Sequence, residues 1–354
     1  MRAAVFGEDG LAVYDDVEAR RPGSGEVSVE VLAAGVCHSD LKVITGATVY
    51  PLPVVMGHEG TGVVAEVGAG VHGVAPGDRV VLHTLRSCGT CSACADGRPT
   101  SCRRSAGGID SPFRRGHEAL YQFANTSVFV ERTVVSAGQV VAIDPAIPAP
   151  VAALLGCGVI TGVGAVLNRG RVRPGESVAV IGVGGVGLNA VQAAALAGAR
   201  HVIAVDVNAH KRDLALALGA TDFVTPGADV VADVLASVPD AFDCVVVCIG
   251  SAELVTAGVE LLAPGGRVVV VGFPGGDAEA AFPMARLYQD KSILACRYGS
   301  SSPQRDIPML CDLYRAGRLH LDELVSRTRP LDEVADAFDD LTLGNTVART
   351  VLTL

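Results

Sequence analysis

Positive charge is scarce in this sequence of 354 residues. Lysine and arginine number 28 against 38 aspartates and glutamates, which gives a formal net charge of −10 at pH 7. Proteins that bind nucleic acid hold its phosphates with clustered lysine and arginine side chains. We therefore expect no nucleic-acid partner.

Long apolar runs are also scarce. The valine-rich stretches have the length of β-strands and end at glycine, aspartate or proline, whereas a membrane helix needs about 20 apolar residues. The opening residues, MRAAVFGEDG, do not form an apolar secretory segment. We expect no membrane partner and a reducing, cytoplasmic location, where cysteines serve as metal ligands rather than in disulfides.

The pattern of apolar residues changes along the chain. Residues 1 to about 155 contain short apolar runs such as EVSVEVLAAGV and GTGVVAEVGAGV, bounded by turn residues, which predict a mostly β domain. From about residue 160, strand and helix patterns alternate, as in ESVAVIGVG, GLNAVQAAALAGA and HVIAVD. This alternation predicts a doubly wound parallel sheet, so the expected fold class is α/β.

Four cysteines lie close together in the run CGTCSACADGRPTSC: Cys88, Cys91, Cys94 and Cys102. This spacing lets one compact loop close a tetrahedral metal site with thiolates about 2.3 Å from the ion. Zinc with four sulfur ligands has no open position for a substrate, so the predicted role is structural. An iron–sulfur cluster stays open as an alternative, whereas a disulfide cluster fits a cytoplasmic chain of this length poorly.

A glycine-rich turn follows the first strand of the alternating region. Gly182, Gly184 and Gly187 lie between an apolar strand and a helical pattern, and Asp206 ends the next strand. Glycines let the backbone approach a pyrophosphate at a helix N-terminus, and the carboxylate accepts hydrogen bonds from a ribose. Because a carboxylate repels a ribose phosphate, NAD is favoured over NADP. The alternative is a turn that only packs the helix against the strand.

A second set of metal ligands is scattered along the chain. Cys37 lies in GVCHSDLK, His58 in VVMGHEG and Cys157 in LLGCGVITG, and Asp40 could orient His58. Two thiolates and one imidazole form a known catalytic zinc set with an open fourth position. Each residue alone is equally consistent with an ordinary core or surface position.

Together, these segments resemble a zinc-dependent alcohol dehydrogenase of the medium-chain dehydrogenase/reductase superfamily over almost the whole chain. The matching segments are GVCHSD, GHEGTGVVAEVG, GDRVV, CGTCSAC, GCGVITGVGAV, GVGGVG, VDVNAHK and ARTVLT. The resemblance implies a GroES-like catalytic domain of residues 1–158 and 298–354, which carries the zinc. It implies a Rossmann domain of residues 159–297, which binds NAD.

The resemblance also implies roles for individual residues. It implies a catalytic zinc at Cys37, His58 and Cys157, with Glu59 able to approach the ion. A structural zinc at the four clustered cysteines makes two zinc ions per subunit. For NAD, the implied residues are His38 and Arg349 at the pyrophosphate, Asp206 and Lys211 at the adenosine ribose, Thr161 and Val186 near the nicotinamide, and Ile249 and Val271 elsewhere in the cofactor site.

The predicted chemistry is the reversible oxidation of an alcohol by hydride transfer to NAD. Ser39 would take the alcohol proton and pass it on through the cofactor ribose. Many family members finish this path with a histidine, where this chain has Lys42. An ammonium group has no free lone pair. Either the proton leaves through water, or Lys42 is neutral, or Lys42 only holds the ribose or faces solvent.

The substrate pocket is predicted to be roomy. Thr48 and Thr84 stand where family members often have larger apolar side chains, so we expect a preference for bulky primary alcohols or aldehydes. Further candidates for the pocket wall, which are equally consistent with plain core residues, are Leu85, Phe113, Phe123 and Tyr298. The unfamiliar segment 103–122 is expected to shape access.

Three alternatives remain at this point. A thiol-adduct formaldehyde dehydrogenase would need cations at the pocket mouth, for which Arg86, Arg114 and Arg115 are candidates. A biosynthetic reductase or a non-catalytic NAD-binding protein could share the fold. The family also implies a homo-oligomer joined through edge strands of the nucleotide domains, with a dimer favoured and a tetramer open.

Overall fold

The structure is a computed structural model, and it describes residues 1–104, 111–238, 240–273 and 275–354. The chain divides into two compact units. Unit 1 comprises residues 1–157, 302–317 and 321–354, and unit 2 comprises residues 158–301 and 318–320.

In chain order, the described residues form these strands: β1 Ala3–Gly7, β2 Gly10–Tyr14, β3 Val17–Ala19, β4 Glu26–Gly35, β5 Val54–Val55, β6 Glu59–Val67, β7 Arg79–Leu82, β8 Phe113–Arg115, β9 Glu118–Gln122, β10 Arg132–Ser136, β11 Val140–Ala142, β12 Ser177–Ile181, β13 His201–Val205, β14 Asp222–Val224, β15 Phe242–Val247, β16 Leu262–Val270, β17 Ser292–Ala295, β18 Val325–Pro330 and β19 Arg349–Thr353.

The α-helices are mostly short: α1 His38–Ile44, α2 Ser92–Ala95, α3 Ala149–Leu154, α4 Ile160–Gly164, α5 Gly187–Leu196, α6 Arg212–Ala217, α7 Val230–Leu235, α8 Ala252–Glu260, α9 Pro303–Arg315 and α10 Val334–Thr342. Two π-helical segments, Leu155–Val159 and Ala165–Gly170, follow α3 and α4, so that residues 149–170 are helical throughout.

Unit 1 is built on two sheets. One has the strand order β2-β1-β5-β9-β8-β3, and the other has the order β11-β7-β6-β4-β19-β18, with β10 paired to β4. The largest core cluster of this unit includes Val29, Met56, Leu82, Phe129 and Phe338. The mostly β character predicted for the N-terminal part of the chain is confirmed by these sheets.

Unit 2 contains a parallel sheet of order β14-β13-β12-β15-β16-β17. Its central strand β12 is buried along its whole length, as expected for a parallel strand covered on both faces. The order reverses between β12 and β15, which is the topological switch point where such sheets bind nucleotides. The predicted doubly wound sheet is confirmed.

The expectation that no apolar run reaches membrane-helix length is wrong. The helix Ala149–Gly170 is long and apolar enough to span a membrane by length and composition. Most of it is buried inside the structure, and burial against other protein surfaces accounts for the same apolar composition. The run is inconspicuous in the sequence because several small residues and one cysteine separate its larger apolar residues.

Candidate metal and nucleotide sites

The scattered ligands Cys37, His58 and Cys157 come together in unit 1. Cys37 directly precedes α1, His58 directly precedes β6, and Cys157 lies in the π-helical segment Leu155–Val159. Their ligand atoms all lie within 4.8 Å of one another, and Cys157 Sγ is 3.4 Å from His58 Nε2. Two sulfurs and one ring nitrogen at these separations fit a zinc ion with one coordination position left open.

The close approach of the Cys157 turn to β7 depends on a glycine. A Cβ atom at Gly156 would lie 2.1 Å from the Leu82 carbonyl oxygen, so any larger residue would push the turn away. π-helical turns are often found at functional sites. In this protein, the turn carries Cys157, one of the predicted metal ligands.

Asp40 holds two of the three ligands with one carboxylate. Its Oδ1 is 3.0 Å from His58 Nδ1, and its Oδ2 accepts a hydrogen bond from the Cys37 N–H at 3.2 Å. Burial raises the pKa of the Asp40 carboxyl. Burial alone would lower the pKa of His58, but the charge and hydrogen bond of Asp40 raise it well above its usual value. With Asp40 on Nδ1, the Nε2 atom faces Cys157 and can bind a metal.

Arg349 is a buried cation beside these ligands. It donates hydrogen bonds from Nε to Glu59 Oε2 at 3.3 Å and from Nη2 to Cys37 Sγ at 3.5 Å. The hydrogen bond from Cys157 and the charge of Arg349 lower the pKa of Cys37, whereas the same bond and burial raise the pKa of Cys157. These contacts join Arg349 to the metal site, and its contact with a pyrophosphate stays a prediction.

Helix α1 carries the residues predicted for proton transfer. Ser39 is exposed, with Oγ 3.9 Å from Cys37 Sγ, and Lys42 is half-buried one turn further along. His38, predicted at the pyrophosphate, is exposed beside Ser39. The structure therefore brings Ser39 next to Cys37, a predicted metal ligand, while the roles of Ser39, Lys42 and His38 stay predictions.

The four clustered cysteines form the second group of ligands. The Sγ atoms of Cys88, Cys91, Cys94 and Cys102 lie within 4.8 Å of one another. Backbone N–H groups of Cys91 and Cys88 donate to Cys88 Sγ at 3.4 Å and to Cys102 Sγ at 3.3 Å. Backbone hydrogen bonds from Thr90 and Cys91 lower the pKa of Cys88 to about 6. N–H donors stabilise thiolates, so this loop is prepared to bind a cation through sulfur alone.

The glycines between β12 and α5 have distinct roles. Gly182 has φ +86, and a Cβ at Gly187 would lie 2.0 Å from the Gly182 carbonyl oxygen. Both positions therefore require glycine for the turn itself. At Gly184, a Cβ would meet no protein atom within 4 Å. Gly184 lies three residues before the first residue of α5, and a pyrophosphate at a helix N-terminus approaches the backbone in such a turn.

Asp206 follows β13 and is organised by several donors. Its Oδ2 accepts hydrogen bonds from Val183 N–H and from Lys211 Nζ, both at 2.9 Å, and its Oδ1 accepts one from Asn208 N–H at 2.9 Å. The carboxylate is buried. This arrangement fixes a negative charge where a nucleotide ribose is expected.

The other residues predicted for the cofactor are also in unit 2. Ile249 packs against Gly182, where a Cβ would be 2.3 Å from Ile249 Cγ1. Val186 immediately precedes α5, Thr161 is buried in α4, and Val271 directly follows β16. Their positions on the β12–α5 turn and at the carboxyl ends of β15 and β16 agree with the general location of nucleotide sites in such sheets.

The predicted pocket residues Thr48 and Thr84 are both half-buried in unit 1. Thr48 donates its N–H to the Lys42 carbonyl at 2.9 Å, and Thr84 lies two residues after β7. Leu85, Phe113 and Phe123 are buried as core residues. Residues 105–110 of the segment expected to shape access lie outside the described residues.

Two of the arginines considered for a thiol adduct are engaged elsewhere. Arg114 pairs with Glu18, and Arg115 pairs with Asp16 at 2.8 Å and stacks over the Tyr14 ring at 3.8 Å. These pairs neutralise both cations along β8. The structure therefore does not favour them as a binding site for an anionic adduct.

Sequence reasoning missed Tyr50. Its hydroxyl donates to the Gln122 carbonyl oxygen at 2.8 Å and accepts from the Ala124 N–H at 3.2 Å. The sequence contains no signal for this contact, because about 70 residues separate the partners and Tyr50 belongs to no motif.

Comparisons with known proteins agree with this fold and these sites. Residues 23–149 match the family model of the alcohol dehydrogenase GroES-like domain, and residues 185–315 match that of the zinc-binding dehydrogenase. The chain belongs to the zinc-type alcohol dehydrogenases of the medium-chain dehydrogenase/reductase superfamily. The predicted alcohol dehydrogenase function is confirmed at this level, and the alternatives are not favoured.

Individual relatives match over nearly their whole length. An NDMA-dependent alcohol dehydrogenase of Amycolatopsis methanolica is 38% identical, covering 96% of this chain and 94% of the relative. A putative alcohol dehydrogenase D of Mycobacterium tuberculosis is 39% identical, covering 92% of each chain. The crystal structure of benzyl alcohol dehydrogenase from Acinetobacter calcoaceticus has a TM-score of 0.93 at 33% identity, covering 100% of this chain and 99% of that one.

Proposed function

We propose that this alcohol dehydrogenase depends on NAD and zinc and converts primary, bulky alcohols reversibly to aldehydes. The observation that carries the proposal is the convergence of Cys37, His58 and Cys157 within 4.8 Å, with Asp40 on the far ring nitrogen of His58. This donor set differs from the four-cysteine loop because it leaves a coordination position for a substrate oxygen.

Two cofactors supply the chemistry that side chains cannot. When bound, zinc acts as a Lewis acid on the alcohol oxygen and the nicotinamide ring accepts the hydride. Cys37, His58 and Cys157 would hold the catalytic ion, and Cys88, Cys91, Cys94 and Cys102 the structural ion. The number of zinc ions per subunit is therefore two.

The surrounding residues prepare the site. Asp40 fixes the tautomer of His58, so that Nε2 remains free to act as a ligand. Arg349 offsets the negative charge of the Cys37 thiolate, and Glu59, hydrogen-bonded to Arg349, is the carboxylate available during ligand exchange.

The alcohol proton needs an acceptor near the metal. Ser39 lies beside Cys37 and has a hydroxyl that can accept a proton while donating its own onward. Lys42 carries an ammonium group with no lone pair. We therefore propose that Ser39 accepts the alcohol proton and passes its own to water rather than to Lys42.

The choice of NAD over NADP rests on Asp206. Its buried carboxylate already accepts three hydrogen bonds and carries the charge that a ribose phosphate would oppose. Lys211 neutralises part of that charge, but its ammonium group is already paired with Asp206 and is therefore not offered to a ribose phosphate. The free space at Gly184 supports pyrophosphate binding at the start of α5.

The preference for bulky substrates rests on small side chains. Thr48 and Thr84 are half-buried, and a threonine has less volume than the larger apolar side chains that many family members carry at these positions. The name of the relative from Acinetobacter calcoaceticus, benzyl alcohol dehydrogenase, supports the same substrate class.

We also propose a cytoplasmic homo-oligomer, with a dimer favoured over a tetramer. Strand β17 is an edge of the unit 2 sheet, and Met284 and Tyr288 near it are highly exposed. An open edge flanked by apolar side chains favours association with a second copy. Size-exclusion chromatography with light scattering tests the proposal, and a monomer at micromolar concentration would refute it.

An activity assay with metal analysis tests the proposed function. Purified protein is assayed with ethanol, octanol and benzyl alcohol, and each alcohol is tested with NAD, with NADP and with NDMA, the acceptor named for one relative. A second assay uses formaldehyde in the presence and in the absence of a thiol. We expect about two zinc ions per subunit, activity with NAD, and the highest kcat/KM for benzyl alcohol or octanol. Absence of zinc would contradict the proposed metal dependence. A clear preference for NADP would contradict the proposed cofactor, and a clear preference for ethanol would contradict the proposed substrate class.

A matched pair of variants tests whether Cys157 is a ligand of the catalytic metal. Cys157→Ala should lose one zinc ion per subunit and lower kcat/KM by at least about a hundredfold. Cys311→Ala removes another thiol of unit 1, on α9 and outside both ligand groups, and should leave metal content and kcat/KM unchanged. Equal effects of the two variants would refute the catalytic assignment.

A further inference from the structure

Tyr50 fixes the backbone on both sides of Phe123. Tyr50 lies between α1 and β5, and its hydroxyl contacts the residue before Phe123 and the residue after it. It donates to the Gln122 carbonyl oxygen at 2.8 Å and accepts from the Ala124 N–H at 3.2 Å. Burial raises the pKa of Tyr50, so the hydroxyl keeps its proton at neutral pH and can make both bonds.

The Phe123 ring contacts both Tyr50 and the predicted metal ligand His58. Its centroid is 5.2 Å from that of Tyr50 at an interplanar angle of 70°, and 5.5 Å from that of His58 at 80°. Such edge-on contacts are favourable and directional. The His58 imidazole is therefore held by two groups, Asp40 at Nδ1 and Phe123 against the ring.

The segment after Phe123 has a backbone that needs support. Ala124 has φ +50 and Asn125 has φ +57, a left-handed conformation that residues with a Cβ atom rarely adopt. The Tyr50 hydroxyl holds Ala124, and Gln139 Nε2 donates to the Asn125 carbonyl at 3.0 Å. Without the hydroxyl, Ala124 loses its side-chain acceptor, and this segment can relax towards an ordinary backbone.

We propose that Tyr50 is a positioning residue of the catalytic metal site. Its hydroxyl fixes Phe123, and Phe123 fixes the orientation of His58 around the hydrogen bond to Asp40. The inference rests on the proposed role of His58 as a ligand of the catalytic metal. It extends the residues that control this metal to a tyrosine outside the predicted ligand set.

The test compares Tyr50→Phe with Tyr314→Phe. The first variant keeps the ring against Phe123 and removes only the hydroxyl. Tyr314 on α9 is a matched control in unit 1, because its hydroxyl also makes a hydrogen bond, to Asp322 Oδ2 at 3.0 Å, and takes no part in the contacts above. Each variant and the parent protein are loaded with Co²⁺, and the visible spectrum and the rate of metal loss to a chelator are measured. The four-cysteine site contributes the same signal to all three proteins, so it cancels in the comparison.

For Tyr50→Phe, we expect shifted cobalt bands and loss of the catalytic metal that is about fivefold faster. We also expect kcat with benzyl alcohol to fall, with KM for NAD unchanged. Tyr314→Phe should match the parent protein in every measurement.

Two results would overturn the inference. One is a cobalt spectrum and metal-loss rate for Tyr50→Phe that equal those of Tyr314→Phe. The other is a lower melting temperature for Tyr50→Phe with no change in spectrum or metal loss, which would indicate a merely structural tyrosine. If the parent protein itself binds no metal and oxidises no alcohol, the proposed function fails instead, so the two failures are distinguishable.

Discussion

Replacing Asp40 by asparagine tests the metal site at its most constrained residue. The fully buried carboxylate accepts two hydrogen bonds, one from Cys37 N–H and one at His58 Nδ1. An asparagine side chain has one acceptor oxygen and one donor NH₂ group, so it can satisfy only one partner in the present geometry.

Both orientations of the new amide are unfavourable. If its oxygen faces Cys37 N–H, its NH₂ group faces His58 Nδ1, which must then be an acceptor. The ring proton moves to Nε2, and the atom facing Cys157 can no longer bind a metal. If the oxygen faces His58, the NH₂ group opposes Cys37 N–H, and a buried donor left unpaired costs about 1–3 kcal/mol.

We expect Asp40→Asn to weaken catalytic zinc binding and lower kcat/KM by about 10–100-fold, equivalent to about 1.4–2.7 kcal/mol. Zinc retention against a chelator and steady-state rates measure both effects. The control is Asp306→Asn, at the start of α9, where another buried carboxylate accepts the Ser302 N–H at 2.9 Å. It should affect stability but not zinc retention. Zinc affinity and kcat/KM within about twofold of the parent protein for Asp40→Asn would refute this reasoning.

Three further predictions concern the structural metal, the nucleotide turn and a buried histidine. Cys91→Ser should remove the structural metal, lower the melting temperature and leave about one zinc ion per subunit. If elemental analysis showed that both ions were lost, the two metal sites would not be independent of each other. Gly184→Ala should raise KM for NAD with little change in stability, because its Cβ meets no protein atom. Gly187→Ala should instead destabilise the fold, because its Cβ would meet the Gly182 carbonyl oxygen; equal melting temperatures for the two variants would oppose this distinction. Burial lowers the pKa of His83 to about 4, so the unfolded chain binds its proton first as the pH falls below about 6.5 and folding stability declines. His83→Leu should abolish about 2–3 kcal/mol of that decline between about pH 7 and about pH 4.5 in urea unfolding, and an unchanged pH dependence would contradict it.

The sequence predicts those features that depend on neighbouring residues. The four-cysteine loop is visible because its ligands span a short segment, and the turn at Gly182 is visible because strand, glycines and helix follow one another. The alternation of strand and helix patterns likewise predicts the parallel sheet of unit 2. In each case, the physical requirement is local, so residue spacing expresses it directly.

Features that depend on distant contacts leave no mark in residue spacing. Cys37, His58 and Cys157 are typical core or surface residues when taken singly, and the family resemblance rather than a local rule groups them. The contact of Arg349 with Cys37 joins residues 312 positions apart, and the role of Tyr50 depends on a loop 72 residues away. The helix Ala149–Gly170 includes two π-helical segments, and residue spacing does not show that they continue α3 and α4 into one long helix.

The burial of Asp40 is a clearer sign of its function than its residue type is. An acidic side chain in the first turn that accepts the N-cap N–H is an ordinary way to begin a helix, and Asp40 does this for α1. Such a capping carboxylate can remain in water, where its charge costs nothing. Asp40 is instead fully buried, and a buried charge is tolerated only when its partners compensate for lost hydration. The cap uses one oxygen, and the other faces His58 Nδ1. The burial of Asp40 is therefore explained better by the orientation of His58, a predicted metal ligand, than by helix capping alone.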